Sequence, residues 1–477
     1  MKASGSTKLL NGVMAETVPM YGRMIHGEDS SGQLTEQSQQ YDVHGRYNSA
    51  IDRGNLNKLM LDELSDLPNV KLFFHQRLAG VDFDKRKAWF EQKSPNTSNP
   101  QTADGAQSLN SRKPKDRQTE IEVDFDLILG CDGAHSAVRF HMMKFVRMNY
   151  EQSYIDTLWC EFTIPPLPSR PENDSPRTTT PSSRDGFATS PNHLHIWPSN
   201  HSDAMFIAIP SIDKSFTCTL FASSSTFEQL SHSPAITVPA FFEQNFPGAL
   251  PLLGGPEPLI NSFTTNPHLP LISIKCSPHV HTPTSTTAAS GAILGDAAHA
   301  MVPFYGQGMN AGLEDVHALF TQPDLPTNSH TATTRSDLAR ALRAYNTARV
   351  PDAHTINDLA LQNYWEMHSG TTSPLRLARK RVEEFLSSRL LHRFTGFATE
   401  YERVSFSCQR YSELVHAVRR QSYILLGGAV GVGILPGLVW AGWWVWRIGR
   451  TSKAGLGAGR GLLGLGVLGE RVGRMLT

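Results

Sequence analysis

Short apolar runs and one amphipathic stretch alternate through the first third of the chain. Tyr47–Ile51 predicts a strand, and the leucines within Leu56–Leu67 recur at the spacing of one helical face. The pair Pro68-Asn69 is expected to end that helix, and the apolar run Val70–Phe74 predicts a further strand. The pattern therefore predicts a strand–helix–strand unit in this part of the chain.

The middle of the chain is rich in strand patterns. Glu120–Gly130 changes from alternation to a continuous apolar run, as a strand does when it enters a sheet covered on both faces. Three β-rich runs follow one another within Leu194–Phe221 without helical stretches between them, which predicts an antiparallel sheet forming a second domain. After Ser336 the pattern is helical and stays so to a final apolar segment.

Three polar stretches interrupt these elements and are interpreted as disordered loops. Their Ser, Thr, Pro and Asn content cannot bury enough apolar surface to offset the entropy of ordering. They are Lys93–Thr119, Ser169–Pro191 and His279–Ser290.

The segment Ile424–Trp446 contains no charged residue. As a helix it would span about 35 Å, enough to cross a bilayer. Tryptophans crowd its end, where indole rings favour the membrane interface, and Arg447 follows. A buried core helix is the alternative, but the absence of a polar face favours a transmembrane helix. Basic residues flank both ends, so the orientation stays open.

The balance of charges points away from nucleic acid as a partner. Lys+Arg and Asp+Glu both total 44, which gives a formal net charge of zero. The five cysteines are far apart, without metal-ligand spacing or a disulfide framework, as is usual in a reducing compartment.

Two strand-to-loop junctions carry the candidate chemistry. The first lies within Asp126–Arg139, where an apolar run ends in Gly-Cys-Asp132; the second lies within Ala292–Asp315, where the run ends in Gly295-Asp296. Glycine lets the backbone approach a ligand, and a carboxylate accepts hydrogen bonds from hydroxyl groups. A lone Gly-Asp pair is usually an ordinary turn, but two such junctions in one chain predict a ligand site.

The pair of junctions resembles the second and third flavin-binding motifs of the class A flavoprotein aromatic hydroxylases. Further strings resemble the kynurenine 3-monooxygenases within that class, and the resemblance runs from about Pro19 to Glu413, broken by the three polar stretches. The strings are Gly22–His26, Val138–Tyr150, Leu194–Pro198, Lys214–Phe221, Ser273–Ser277 and Asn363-Tyr364.

This resemblance implies a fold and a domain order. The fold would be an α/β flavin-binding fold of the p-hydroxybenzoate hydroxylase type, with an antiparallel-sheet substrate domain, a helical C-terminal region and one transmembrane helix. The expected segments are 1–150 and 266–335 for the FAD-binding domain, 151–265 for the substrate domain, 336–420 for the helical region, 423–448 for the transmembrane helix and 449–477 for a Gly-rich tail.

The resemblance also implies the cofactor-binding residues. Asp132 would serve both FAD and NADPH, and Asp296 would bind the ribityl chain of FAD. Gly306–Asn310 would lie at the start of a helix, and the free backbone N–H groups there would favour negative charge on a reduced flavin ring. The full set is Arg53, Leu78, Asp132, Gly133, Gly295, Asp296, Gly308, Met309 and Asn310.

The substrate residues implied by the resemblance centre on Arg23, whose guanidinium would grip a carboxylate. Without the resemblance, Arg23 could be a solvated surface arginine and Tyr41 a loop tyrosine. Tyr401 departs from the expected pattern because Glu402-Arg403 follows it. The other implied substrate contacts are Tyr41, Asn363 and Tyr401, with Pro303 and Phe304 as the wall at the flavin.

The implied reaction is hydroxylation of L-kynurenine to 3-hydroxy-L-kynurenine by NADPH and O2 through a C4a-hydroperoxyflavin, in tryptophan degradation and NAD biosynthesis. No catalytic acid, base or metal ion is implied, and His299 is interpreted as structural. The implied location is the mitochondrial outer membrane, through a single-pass helix. The alternatives are a tail-anchored pseudo-enzyme without flavin and a related FAD monooxygenase for another aromatic acid.

One part of the resembled pattern is not found in residues 1–60. The family begins with a strand, a G-x-G-x-x-G turn and a helix that bind the ADP half of FAD. The glycines Gly5, Gly12, Gly22 and Gly27 do not have that spacing. We therefore expect an upstream coding segment to carry this unit; true loss of the unit is the alternative.

Overall fold

The computed structural model describes most of the chain in two compact units, Met1–Val415 and His416–Thr477. In the second unit, residues 416–425 and 427 are helical. All the elements named below belong to the first unit. The described residues are 5–42, 44–92, 120–168, 186–283, 288–325, 334–368, 382–383, 385–387, 397–425, 427 and 443.

The described strands form four sheets, two of which position the site. The strands are β1 (Thr17–Met20), β2 (Gly22–Glu28), β3 (Leu34–Gln40), β4 (Asn48–Ile51), β5 (Gln76–Asp82), β6 (Lys87–Gln92), β7 (Glu120–Asp124), β8 (Leu127–Gly130), β9 (Asn149–Ile164), β10 (His193–Pro198), β11 (Met205–Pro210), β12 (Phe216–Ala222), β13 (Leu269–Ser277), β14 (Val280–His281) and β15 (Ser290–Ile293).

The described helices cluster after the central strands and toward the C-terminus. They are α1 (Thr7–Ala15), α2 (Arg53–Ser65), α3 (Ala137–Met142), α4 (Ser224–His232), α5 (Thr237–Asn245), α6 (Ala249–Leu252), α7 (Pro256–Thr265), α8 (Asp296–His299), α9 (Gly308–Phe320), α10 (Arg335–His368) and α11 (Glu400–Phe406), with a 3₁₀ turn at Pro303–Tyr305.

The large sheet has seven strands in the order β13-β9-β12-β11-β10-β2-β3, and only β10 and β2 run parallel to each other. Alternating buried and half-buried positions along β11 explain why this segment is a strand with one covered face. The sheet confirms the three predicted β-rich runs. It also takes strands from the segments 1–150 and 266–335, so it crosses the predicted domain boundaries, which stay predictions.

Aromatic side chains fill the core on one face of this sheet. Phe162 and Phe206 of the sheet pack edge-on against Phe242 of α5, with ring centroids 5.6 and 5.3 Å from it. At the sheet's parallel pair, His26 of β2 stacks on Trp197 of β10 with centroids 4.0 Å apart. These contacts fix β2 against the sheet because both rings are buried.

The second sheet brings the two junctions together. Its order is β14-β15-β8, and β15 pairs parallel with β8 so that Ala292 faces Leu129. The N–H of Leu294 donates to the carbonyl of Gly130 at 2.9 Å. Since carboxyl ends of parallel neighbours meet at one edge, the two predicted junctions leave the sheet side by side.

Two predicted strands differ from the structure. Val70–Phe74 has no regular secondary structure and belongs to no described sheet, and Phe73 and Phe74 are 74% and 60% exposed. Glu120–Gly130 forms two strands in different sheets, β7 and β8, separated where the N–H of Phe125 bonds to Arg86 instead of a ladder partner. The predicted helix is present as α2. The predicted strand before it corresponds to β4, which pairs antiparallel with β1.

The described part of the predicted helical C-terminal region contains α10 and α11, its boundaries stay predictions, and other predictions fall partly outside the described residues. The polar stretches 93–119, 169–185 and 284–287 lie outside them. The prediction of a disordered loop at His279–Ser290 is wrong for its described part, because Val280–His281 is β14 and pairs with β15. Among the described residues no helix is long and apolar enough to cross a bilayer. Most of 423–448 and all of 449–477 lie beyond them.

Candidate functional site

The carboxylate of Asp132 organises the first junction. It accepts hydrogen bonds from the hydroxyl of Ser136 and from the backbone N–H groups of Ala137 and Val138, at 2.7 and 3.1 Å for the two amides. These bonds hold the loop against the start of α3. Gly133, at φ +81°, has the left-handed conformation that the turn requires. Asp132 therefore shapes the loop from an exposed position at the edge of the sheet.

The second junction turns at Gly295, whose φ of 57° and ψ of −140° are open only to glycine. Its N–H donates to a carboxylate oxygen of Asp315 at 2.7 Å. Asp296 begins α8, and its carboxylate has no hydrogen-bond partner in the described part of the chain. Partial burial raises the pKa of Asp296, against the opposing influence of His299 and Arg53. Asp296 and Arg53 are thus brought into one electrostatic neighbourhood.

Asp315 holds the second junction in place from beneath. The side chain is fully buried, and one oxygen accepts from Nε2 of His299 at 2.6 Å. The other accepts from Nε of Arg349, whose Nη2 also donates to the carbonyl of Ala311 at 2.9 Å. Arg349 further pairs with Glu314 at 3.0 Å. Burial alone would raise the pKa of Asp315, but the hydrogen bond and charge of His299 and the charge of Arg349 outweigh it and lower that pKa.

Sequence reasoning assigned no role to Asp315 or Arg349. The available cue was positional, because Asp315 stands four residues from both Ala311 and Leu319 on the buried face of α9. A carboxylate at such a position needs a cationic partner, but the chain does not reveal that the partner lies on α10. The interpretation of His299 as structural agrees with its bond to Asp315.

Arg139 of α3 connects the two junctions directly. Its Nη1 donates to the carbonyl of Ala297 in α8 at 2.6 Å, and its Nη2 donates to the carbonyl of Ala134 in the first loop at 2.6 Å. The guanidinium also lies over the ring of Tyr150, 4.9 Å from its centroid. The buried cation thereby fixes the spacing between the two loops.

The guanidinium of Arg23 lies beside a stacked pair of tyrosine rings. Its Cζ lies 5.2 Å from the ring centroid of Tyr401 and 5.9 Å from that of Tyr41, and the two rings stack 5.5 Å apart. Nε of Arg23 is buried without a hydrogen-bond partner among the described residues. Gly22 permits this arrangement, since a Cβ there would lie 2.4 Å from the carbonyl oxygen of Gln39 in β3.

The phenol rings are themselves held. Burial and the neighbouring Tyr401 raise the pKa of Tyr41, which keeps its hydroxyl neutral, while Arg23 opposes the shift. Nδ2 of Asn48 donates to the hydroxyl of Tyr401 at 3.0 Å. Asn48 was not predicted, because its contact spans most of the chain.

A row of aromatic rings joins this guanidinium to the second junction. Tyr305, in the 3₁₀ turn that follows the junction, stacks on Tyr401 with centroids 6.1 Å apart. The turn begins at Pro303, and Nδ2 of Asn363 donates to the carbonyl of Phe304 at 2.7 Å. The structure therefore groups the predicted substrate residues on one continuous surface, and it adds Tyr305.

The remaining predicted cofactor residues lie around the junctions. Helix α9 begins at Gly308 with no side-chain cap, which leaves backbone N–H groups of its first turn open, and Met309 there is 47% exposed. Asn310 donates to the side chain of Gln307 at 3.1 Å. Arg53 is the first residue of α2, and its Nη2 lies 3.9 Å from Oε2 of Glu161.

Leu78 is a partly buried residue of the predicted cofactor set. It lies on β5 and packs with the hydrophobic cluster that includes Val138 of α3 and Ile293 of β15. The cofactor-binding and substrate-binding roles of all these residues stay predictions.

The chain is similar to several known proteins. A family model described as an FAD binding domain matches residues 280–349. The chain is 49% identical to a kynurenine 3-monooxygenase of Neurospora crassa, over 94% of this chain and 81% of that protein. It is 47% identical to a kynurenine 3-monooxygenase of Emericella nidulans, over 97% and 85%. Its similarity to a solved 2-methyl-3-hydroxypyridine-5-carboxylic acid oxygenase has 16% identity and a TM-score of 0.49, over 77% and 79%.

Replacing Asp315 by Asn is expected to lower the free energy of unfolding at neutral pH by about 3–5 kcal/mol, because Arg349 loses its buried counter-charge. The lowered pKa means that the ionised carboxylate stabilises the fold above its unfolded pKa of about 3.9 and loses this effect as the pH falls through the folded value. Urea unfolding from pH 7 downward should therefore show the difference between parent and variant shrinking below about pH 4.

The matched control is Asp324→Asn, which removes a half-exposed carboxylate that pairs with Arg340. This change should lower the free energy of unfolding far less than Asp315→Asn, because water screens a surface ion pair. A difference between parent and Asp315→Asn that stays constant down to pH 3 would contradict the role given to the Asp315 charge.

Proposed function

The chain belongs to the kynurenine 3-monooxygenase family, and on that premise we propose that it hydroxylates L-kynurenine to 3-hydroxy-L-kynurenine with FAD, NADPH and O2. The observation that carries the proposal is Arg23, a guanidinium with a buried unpaired Nε that lies beside the stacked rings of Tyr41 and Tyr401. Such a group suits the carboxylate of an amino-acid substrate, since guanidinium and carboxylate match in charge and geometry.

The residues at the two junctions fit FAD. Asp296 has a carboxylate without a hydrogen-bond partner in the described residues, suited to accept from ribityl hydroxyls. The uncapped start of α9 at Gly308 offers backbone N–H groups to negative charge on the ring system, with Met309 and Asn310 beside it. When bound, the flavin supplies the hydride-accepting and oxygen-activating chemistry that the side chains lack.

The remaining cofactor contacts are proposed at the first junction. Asp132 and Gly133 shape the loop for both FAD and NADPH; because Asp132 already accepts three bonds within its own loop, we assign it a positioning role. Arg53 is proposed to contact the flavin, and Leu78 to contribute a backbone contact. The proposed fold is the p-hydroxybenzoate hydroxylase type, with the segment boundaries given in the sequence analysis.

For the substrate, the protein's own task is orientation and exclusion of water. Arg23 would bind the carboxylate, while the hydroxyls of Tyr41 and Tyr401 would hydrogen-bond to the amino-acid head. Asn363 uses its amide to fix the carbonyl of Phe304, so it supports the wall formed with Pro303. An apolar wall beside the ring keeps water from the reacting centre, and the amino group on the kynurenine ring already activates the carbon that is hydroxylated.

We also propose that residues 423–448 form a single transmembrane helix that anchors the protein in the mitochondrial outer membrane. The uncharged run Ile424–Trp446, its terminal tryptophans and the following Arg447 support this helix. The enzyme would thus act in tryptophan degradation and NAD biosynthesis from a membrane surface.

Replacing Arg23 by Leu should raise KM for L-kynurenine by about a hundredfold or more, since a charge-assisted bidentate contact is worth roughly 3 kcal/mol. Arg23→Lys should recover part of this loss. Steady-state NADPH oxidation and chromatographic detection of 3-hydroxykynurenine measure the effect. The control is Arg343→Leu, an exposed arginine of α10. Absence of the hydroxylated product from flavin-loaded parent protein would overturn the proposed function in favour of a pseudo-enzyme or another substrate.

Replacing Asp296 by Ala should weaken FAD binding by about tenfold or more, because hydrogen bonds to a carboxylate contribute about 1.5–3 kcal/mol. The flavin absorbance per protein after gel filtration, and titration of apoprotein with FAD, measure this change. Asp62→Ala on the exposed side of α2 is the control. Equal flavin content in the Asp296 variant and the parent would count against the proposed ribityl contact.

Deleting residues 423–477 should move the protein from the membrane fraction to the soluble fraction, whereas deleting only 449–477 should not, since the uncharged segment alone provides a span of about 35 Å. Alkaline carbonate extraction followed by immunoblotting distinguishes the two. Soluble behaviour of the shorter deletion would argue against the proposed helix as the anchor.

A further inference from the structure

An ion-pair cluster joins the two chain segments that carry the stacked tyrosines. Nε of Arg46 donates to the carboxylate of Asp42, and Nη2 of the same guanidinium donates to Oε1 of Glu402. Nε2 of His44 lies 3.2 Å from that glutamate oxygen. The cluster thereby connects the loop after β3 with α11, although these segments are more than 350 residues apart in sequence.

Both carboxylates of the cluster are removed from water. The side chain of Asp42 is 2% exposed and that of Glu402 is 5% exposed, while Arg46 is 37% exposed. Arg46 compensates both buried negative charges, because its removal would leave each carboxylate buried without its counter-charge. Arg46 is also packed over the ring of Phe406, 4.8 Å from its centroid.

Each carboxylate is also fixed to its own backbone. Asp42 accepts from the N–H groups of His44 and Arg46 at 2.9 and 3.1 Å, which closes the loop. Glu402 accepts from the N–H of Thr399, and Thr399 accepts from the N–H of Glu402, both at 3.2 Å, which forms a capping box at the start of α11. The side-chain bridge therefore fixes the backbone of the loop relative to the backbone of α11.

The backbone on both sides leads directly into the site. Asp42 follows Tyr41, and Glu402 follows Tyr401, so the bridge joins the immediate neighbours of the two rings that stack 5.5 Å apart. The guanidinium of Arg23 contacts both of those rings. Glu402 stands where this chain departs from the resembled sequence pattern.

We propose that the bridge Asp42–Arg46–Glu402 positions Tyr41 and Tyr401 around Arg23 and thereby sets the affinity for the amino-acid head of the substrate. The inference rests on the proposed function for its substrate but on the observed contacts for its geometry. None of the three residues touches the reacting ring; they act through the tyrosines. Their loss should accordingly change substrate affinity far more than the maximal rate.

The kinetic test compares Arg46→Met and Glu402→Gln with the parent, all in the full chain loaded with FAD. Met keeps the aliphatic packing on Phe406, and Gln keeps an acceptor for the capping box. Each variant should raise KM for L-kynurenine by about tenfold or more, because a buried ion pair has lost one charge. The value of kcat should stay within about threefold. Arg46→Lys, which retains the charge, should restore most of the affinity.

The matched control is Arg340→Met. Arg340 also bridges two carboxylates, Asp324 and Asp337, but on the exposed start of α10. Its loss should leave KM within about twofold of the parent, since exposed pairs contribute little. Thermal midpoints and flavin content of all variants identify any that fail to fold, and Arg46→Lys remains as the conservative variant if Arg46→Met is unstable.

A second measurement needs no substrate. Tetranitromethane modifies accessible tyrosine rings, and peptide mass spectrometry reports the modification of Tyr41 and Tyr401 individually. Both rings are partly buried and stacked in the parent, so their nitration should be slow. The rate of nitration should rise by about fivefold or more when Arg46 or Glu402 is changed, because the free energy of local opening falls. Nitration of Tyr150, outside the bridge, should be unchanged.

The outcomes separate this proposal from the proposed function. If the parent forms 3-hydroxykynurenine but KM and tyrosine nitration are the same in the bridge variants, the bridge has no positioning role and the proposal is wrong. If kcat falls as strongly as KM rises, the residues act on the chemical step and the proposal is also wrong. If the parent does not use kynurenine, the proposed function fails, and nitration still decides whether the bridge holds the tyrosines.

Discussion

One buried carboxylate, that of Asp315, sets the geometry on which the site depends. A charge removed from water must be matched by donors of fixed position, and Asp315 finds them in the N–H of Gly295, in His299 and in Arg349. These three donors come from the turn after β15, from α8 and from α10. The carboxylate therefore fixes the turn that presents Asp296, and the helix α9 that carries it, in a single arrangement.

A second buried charge performs the corresponding task between the loops. Arg139 donates to carbonyls of both junctions, so the distance between them does not depend on the ligand. Preorganisation of this kind strengthens binding at a cofactor site, because the loops lose their conformational entropy during folding rather than on binding. The proposed substrate side is built differently, from the stacked tyrosine rings beside Arg23 and an ion-pair bridge next to them.

Local pattern predicted the parts of the fold whose cause is local. The alternation in β10 to β12 and the apolar runs that end at Asp132 and Asp296 were found correctly, because burial of one or both faces leaves its period in the sequence. The strand at Val70–Phe74 was predicted wrongly, since a strand exists only beside a partner, and no described strand lies next to this segment.

The site itself was less accessible to sequence reasoning from pattern alone. Arg23, Tyr41 and Tyr401 were identified through the family resemblance; nothing in their spacing reveals that they meet. Asn48 and Tyr305, like the partnership of Asp315 with Arg349, are contacts between distant parts of the chain. Their physical cause is complementarity of charge or shape across the folded interior, which periodicity does not record.

The strand β2 has two different faces, and this has a consequence for how the enzyme can change over evolution. His26 is secured in the domain core by its stacking on Trp197, whereas Arg23 projects from the opposite side of the same strand, three positions away. The backbone course of the strand is thus specified by residues that never meet a substrate. Under the proposed role of Arg23, position 23 could exchange one recognition group for another while its scaffold is preserved, so selectivity for the acidic head could diverge without a new fold having to be found.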